Sequence, residues 1–153
     1  MIDNIDIPKH IINKIIENAL AEDLGSFGDI TSKSLSNEKI KIEASINSNQ
    51  DGVISGLDII ELVFKNIDAN TSVTNHLNDC DEVKNGAEIA RVIGHSHSIL
   101  AAERVALNFL GHMSGIASET NKYVKSIANT KARILSTRKT TPGLRAIEKY
   151  AVR

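Results

Sequence analysis

Hydrophobic positions change periodicity several times along the chain, and each change marks an element. Between Lys9 and Asp23, Ile11, Ile12, Ile15, Ile16, Ala19 and Leu20 recur at helical spacing behind Pro8, which suits a first turn. This stretch is predicted to be an amphipathic helix. Leu24 to Asp29 carries Gly25 and Gly28 and reads as a loop, and Ile30-Thr31-Ser32 opens a new element. Ile40, Ile42, Ala44 and Ile46 then alternate with Lys39, Lys41, Glu43 and Ser45, the period of a half-buried strand. Asp51-Gly52 supplies a tight turn into a second short strand, Val53 to Ser55. Gly56 to Asn66 returns to helical spacing through Leu57, Ile60, Leu62, Val63 and Phe64. Strand-like pieces follow at Thr71 to Leu77 and Glu88 to Ile93, with an Asn85-Gly86 turn between them.

The pattern shifts near residue 100. Ser98 to Ala128 is long, apolar and helical, with a break expected around Gly111 to Gly115. Lys131 to Ser136, with Ala132, Ile134 and Leu135, reads as one buried strand, Thr137 to Gly143 as a polar loop, and Leu144 to Val152 as a helix. Helix, strand, loop, helix is the grammar of an α/β unit. The predicted class is α+β: an N-terminal α/β sandwich with a mainly antiparallel sheet over residues 1–100, then the first elements of an incomplete α/β barrel over 101–153. A complete eight-stranded barrel needs about 250 residues, and the chain has 153.

Composition narrows the partners. With 41% hydrophobic and 24% charged residues the chain is ordinary globular protein, and a net charge of −1 offers no field for nucleic acid or an anionic membrane. The charge is unevenly placed, however. From Lys131 to Arg153 seven basic residues face one acid, Glu148, so this segment is +6 and the remainder −7. An abrupt basic segment suits an anion-binding element, and equally a solvated basic surface. The lone Cys80 allows no intramolecular disulfide and no CxxC zinc site, and its acidic neighbours disfavour a thiolate. Met1 to Asp6 has neither the basic nor the apolar region of a signal peptide, and no run of about 18 apolar residues occurs, so a cytoplasmic protein is expected.

Candidate chemistry concentrates in the C-terminal half. Thr137, Arg138, Lys139, Thr140 and Thr141 follow the last predicted strand, where α/β folds bind ligands. A guanidinium fork matches a carboxylate or phosphate, the adjacent Lys adds a point charge, and the hydroxyls donate further bonds. Arg104, Asn108 and His112 at i, i+4 and i+8 share one face of the long helix. Either Arg104 pairs with a carboxylate such as Glu103 or Glu22 and His112 is a satisfied core residue, or Arg104 reaches into a site. Gly111 and Gly115, four apart, would admit another backbone closely. His95-Ser96-His97 could offer two metal ligands on one strand face, although a surface pair is favoured without an accompanying carboxylate or cysteine. The nucleotide fingerprints GxxxxGK[ST] and GxGxxG, and the GxSxG elbow, are absent.

Six stretches taken together resemble quinolinate phosphoribosyltransferase: Ala21-Glu22-Asp23-Leu24-Gly25, Gly28-Asp29-Ile30-Thr31, Gly52-Val53-Ile54-Ser55-Gly56, Ala102 to Asn108, Ser114-Gly115-Ile116-Ala117, and Thr137 to Arg145. They are collinear over about residues 18–153. The resemblance implies a two-domain subunit in a homodimer with its active site at the subunit boundary. It also implies conversion of quinolinate and phosphoribosyl pyrophosphate to nicotinate mononucleotide, pyrophosphate and carbon dioxide in NAD synthesis, with Mg2+ whose ligands are not in this chain. On the family's pattern Arg138 and Lys139 are the quinolinate-binding basic pair, with Thr137 beside them, and Arg104 is contributed by the neighbouring subunit. Ser136 departs from the acid that often precedes the triplet. The family's sequence continues beyond the match to Arg153, so these 153 residues are expected to be part of the enzyme and inactive alone. A non-catalytic binding or assembly module on the same fold, and a relative of the molybdenum-transport-associated type, stay open as alternatives.

Overall fold

The computed structural model describes residues 7–29 and 40–153, and the element expected to open at Ile30-Thr31-Ser32 lies outside them. Helix α1 runs Lys9–Leu24 and buries Ile12, Ile15, Ile16 and Leu20, the stripe its periodicity predicts. Gly25, at φ +54, stops it in a conformation that only glycine adopts cheaply, and its N–H closes on the Ala21 carbonyl.

Strand β1 (Lys41–Asn47) alternates in exposure as its sequence does, with Ile46 fully inward. It pairs antiparallel with β5 (Glu88–His95), from Lys41 opposite His95 to Ile46 opposite Ala90, and β3 (Ser72–Asn75) pairs antiparallel with the other edge of β5. The sheet order is therefore β1-β5-β3. The apolar side chains of β5, Ile89, Ala90 and Val92, lie in the core. An antiparallel sheet packed by helices is the α+β arrangement that the first hundred residues predict.

The second short strand expected at Val53 to Ser55 forms at Gly52–Val53 and makes no hairpin with β1. Strand β2 (Gly52–Val53) pairs with β4 (Glu82–Val83) instead of returning along β1. Beyond β1, Ser48 still exchanges bonds with the β5 side, donating its N–H to the Ala87 carbonyl and accepting that of Gly86. Asp51 takes the Asn85 N–H at 2.9 Å and the Lys84 ammonium at 2.8 Å. Its carboxylate thus holds a distant turn rather than closing a local one.

Helix α2 (Leu57–Ile67) buries Leu57, Ile59, Ile60, Val63 and Phe64. Its first turn is capped from a distance, because the Asp79 carboxylate accepts the Gly56 and Leu57 N–H groups at 2.9–3.1 Å.

Helix α3 (Ser96–Ser126) runs unbroken through Gly111 and Gly115, contrary to the expected interruption. The reason is its buried stripe: Ile99, Ala102, Val105, Ala106, Phe109, Leu110, Met113 and Ala117 continue at spacings of three and four across the glycines. Packing along that face outweighs the roughly 1 kcal/mol by which each glycine disfavours a helix interior relative to alanine. Nothing lies within 4 Å of where a Cβ on either glycine would stand, so the close backbone approach expected there is not made among the described residues.

The buried strand predicted over Lys131 to Ser136 is also absent: 131–135 are exposed, Leu135 at 79% and Ile134 at 37%. A strand needs a neighbour for its N–H and C=O groups. Among the described residues, both sheets lie elsewhere and neither includes this segment. The chain recovers regular structure in α4 (Arg145–Val152), whose Ile147 and Ala151 are buried in the same apolar cluster as α1, α2 and α3.

Candidate anion-binding site

The segment between α3 and α4 is ordered by its own hydroxyls and by the first turns of α4. Thr137 Oγ1 accepts the Lys139 N–H at 3.1 Å, and the Arg138 carbonyl accepts the Thr140 N–H at 3.1 Å. Arg145 donates from Nε to Thr140 Oγ1 at 3.1 Å and from Nη2 to the Arg138 carbonyl at 3.5 Å. One turn further, Glu148 Oε2 accepts the Thr141 N–H at 3.1 Å. The left-handed Gly143, φ +83, lets the chain enter the helix directly after Pro142.

What this leaves over is two adjacent cations. The Arg138 guanidinium and Lys139 ammonium are exposed and form no ion pair or hydrogen bond among the described residues. Their backbone is fixed while their charges are unspent. Thr137, Lys139, Thr140 and Glu148 line a groove of about 360 Å³ closed on one side by Ile116 and Tyr123 of α3, and Arg138 stands outside that wall. An anion with more than one charged oxygen is the natural counterpart of such a pair.

Arg104 sits elsewhere. It borders a cleft of about 510 Å³ between the end of α1 and α3, with Asp23, Gly28, Asp29, Leu107 and Asn108. No residue lines both clefts, so these described residues do not bring Arg104 together with Thr137, Arg138 and Lys139. Its partner is Asp23, 2.9 Å away, rather than Glu103 or Glu22; Glu103, the preceding residue on the helix, does not face it. The pair is open to water, with the Arg104 side chain 73% exposed, so it restrains the guanidinium only weakly. At the far end of the same polar stripe His112 is not a core residue: it is partly exposed and its Nε2 lies 3.0 Å from Glu148 Oε1.

Glu148 is the residue that reading the sequence for function passed over. Burial pushes its carboxyl up, but hydrogen bonds from Thr141 and from His112 outweigh that and hold it below the ordinary carboxylate range. A signal was present, since Glu148 is the one acid in the basic segment from Lys131 to Arg153.

Other candidates resolve structurally. Strand β5 ends at His95, so His97 lies on α3 and the two rings stack 5.9 Å apart rather than sharing a strand face. His95 Nδ1 pairs with Asp68 at 3.0 Å, and Ser98 donates to the same carboxylate oxygen at 3.2 Å. Cys80 is exposed and holds φ +77 in the turn whose N–H bonds the Ile54 carbonyl. Among the described residues no group of three His, Cys, Asp or Glu side chains could hold a metal ion. Nor is any helix among them long and apolar enough to cross a membrane.

Comparison with known proteins agrees with this architecture. The family model described as quinolinate phosphoribosyl transferase, N-terminal domain, matches residues 29–114, and that of the C-terminal domain matches residues 116–153. The chain is 40% identical over 147 residues to quinolinate phosphoribosyltransferase (decarboxylating) 1b of Nicotiana tabacum, covering 95% of this chain and 41% of that protein. It is 38% identical over 145 residues to the chloroplastic nicotinate-nucleotide pyrophosphorylase (carboxylating) of Arabidopsis thaliana, again over 95% and 41%. The crystal structure of NadC from Streptococcus pyogenes superposes with a TM-score of 0.91 at 37% identity, covering 96% of this chain and 52% of that one. The chain thus spans about two fifths of the length of the curated relatives it matches.

Proposed function

The chain belongs to the quinolinate phosphoribosyltransferase family, and we propose that the protein carrying it transfers the phosphoribosyl group of phosphoribosyl pyrophosphate to quinolinate in NAD synthesis. Nicotinate mononucleotide, pyrophosphate and carbon dioxide are the products. The observation that carries this reading is the pair of unspent cations, Arg138 and Lys139, on a backbone that α4 holds in place. Quinolinate presents two carboxylates on adjacent ring carbons, and two fixed cations would neutralise both and orient the ring nitrogen. A bond from that nitrogen to ribose C1 forms as the C1–oxygen bond to pyrophosphate breaks. The ring nitrogen, now cationic, stabilises by its charge the carbanion left on the adjacent carbon when that carbon's carboxylate leaves as carbon dioxide, and a proton then fills that position. Arg138 and Lys139 act in binding and orientation, with Thr137 bracing Lys139 through its backbone N–H.

Arg104 belongs in this scheme as the residue that a second subunit contributes. Its separate cleft and its solvent-exposed, weakly held guanidinium support that role, since an incoming carboxylate can displace Asp23 from Arg104 or share the guanidinium with it. On this reading the protein is a homodimer. A cytosolic location fits the exposed, unpaired Cys80. No step here is assigned to a metal.

Quinolinate binding to the protein as the cell makes it tests the reading. Arg138→Ala and Lys139→Ala should each weaken binding about ten- to hundredfold, the loss expected for one hydrogen-bonded charge. Unchanged affinity in both variants would remove the assignment.

A further inference from the structure

We propose that Glu148 is the positioning residue of the cationic loop, holding Arg138 and Lys139 at their working depth by fastening Thr141 to α4 and α4 to α3. The proposal rests on the quinolinate reading for its consequence, but its geometry stands independently. Glu148 lines the groove beside Thr137 and Lys139. By charge alone a carboxylate in that wall opposes an anion, so its presence there calls for another contribution. Both of its oxygens are occupied: Oε2 receives the Thr141 N–H at 3.1 Å, and Oε1 meets His112 Nε2 at 3.0 Å, with the side chain only 12% exposed. The first contact ties the loop to α4, and the second ties α4 to α3. Arg145, one turn earlier, grips the Arg138 carbonyl and the Thr140 hydroxyl. The loop is therefore held at Arg138, Thr140 and Thr141, and of these restraints only the one through Glu148 continues to another helix.

Charge and position make opposite predictions, and two conservative variants separate them. Glu148→Asp keeps the charge but is one methylene too short to reach both partners. Glu148→Gln loses the charge but keeps an oxygen that can accept the Thr141 N–H. If Glu148 positions the loop, Glu148→Asp in the whole protein that carries this chain should raise the KM for quinolinate about tenfold with little change in kcat, the sign of lost uniform binding. Amide hydrogen exchange of the Thr137–Gly143 peptide should speed up by a similar factor. Glu148→Gln should keep that exchange within about threefold of the parent and move KM far less than the aspartate does. The proposal is overturned if Glu148→Asp leaves both readouts at the parent values, or if Glu148→Gln tightens quinolinate while loop exchange is unaffected in both. Should the parent protein fail to bind quinolinate, the functional reading falls, and loop exchange alone decides the positioning role.

Discussion

Asp79 and Asp68 each hold together parts of the chain that are far apart in sequence. Asp79 accepts the Gly56 and Leu57 N–H groups at the head of α2 and also the Tyr150 hydroxyl of α4 at 2.7 Å. Burial first, and then this hydrogen bond to a carboxylate, pushes the Tyr150 hydroxyl well above its ordinary value, so it remains a donor at any physiological pH. Asp68 gathers His95, Asn70 and Ser98, and these contacts, the His95 hydrogen bond foremost, lower its carboxyl from 3.8 to about 2. A group whose folded value is depressed stabilises the protein above its unfolded value and loses that contribution as pH falls toward the folded one. Stability should therefore decline between about pH 4 and pH 2, and Asp68→Asn should flatten that part of the curve. Urea midpoints measured across this range check it, and an unchanged acid limb would remove the role. Neither aspartate advertised itself in the sequence, because their partners other than Asn70 lie 22 to 71 positions away.

At the level of elements, the segment Gly52 to Gly56 lies flat against α3, and two serines one turn apart fasten it there. Ser118 Oγ accepts the Val53 N–H at 2.8 Å and Ser114 Oγ accepts the Ser55 N–H at 3.1 Å. A Cβ at Gly52 would stand 2.7 Å from Ser118 Oγ, and one at Gly56 would stand 2.8 Å from Met113 Sδ. Met113 is fully buried in a close-packed core, and Gly56 also holds φ +105. Gly56→Ala should thus destabilise the chain by about 2–4 kcal/mol, combining backbone strain with overpacking. Denaturant unfolding measures this, and a loss below about 1 kcal/mol would contradict the packing argument. Helices α1, α2 and α3 and strand β1 were legible from periodicity because each buries a single face that the local pattern encodes. The partner of β2 was not. Turn residues at Asp51-Gly52 signal a change of direction, whereas the contacts of Ser48 and Asp51 with residues 84–87 decide where the chain goes.

Across the whole molecule, one apolar cluster joins α1, α2, the sheet, α3 and α4, while the 131–135 segment lies open between the last two helices. The cationic loop and Arg104 occupy separate clefts, and the described residues supply no acid cluster for a metal. These 153 residues by themselves should accordingly show no measurable conversion of quinolinate, although the loop may be examined by binding. A turnover assay with phosphoribosyl pyrophosphate and Mg2+ checks this expectation, and a rate of the order of 1 per second, ordinary for an enzyme, would overturn it.

Helical stripes, the antiparallel α+β class, the family and the concentration of positive charge from Lys131 to Arg153 are all written in the order of residues along the chain. Periodicity, motif order and charge are properties of neighbouring residues, so they survive without coordinates. It takes the folded chain to show that Gly111 and Gly115 leave α3 intact, that Ile134 and Leu135 stand exposed instead of in a strand, that Arg104 meets Asp23, and that Glu148 bonds the basic loop at Thr141. Each of these depends on what lies opposite a residue: a continuous packed face, a missing strand neighbour, or a carboxylate brought near by folding. Hydrogen-bond partners and packing contacts are set by distances across the fold, and no local pattern specifies them.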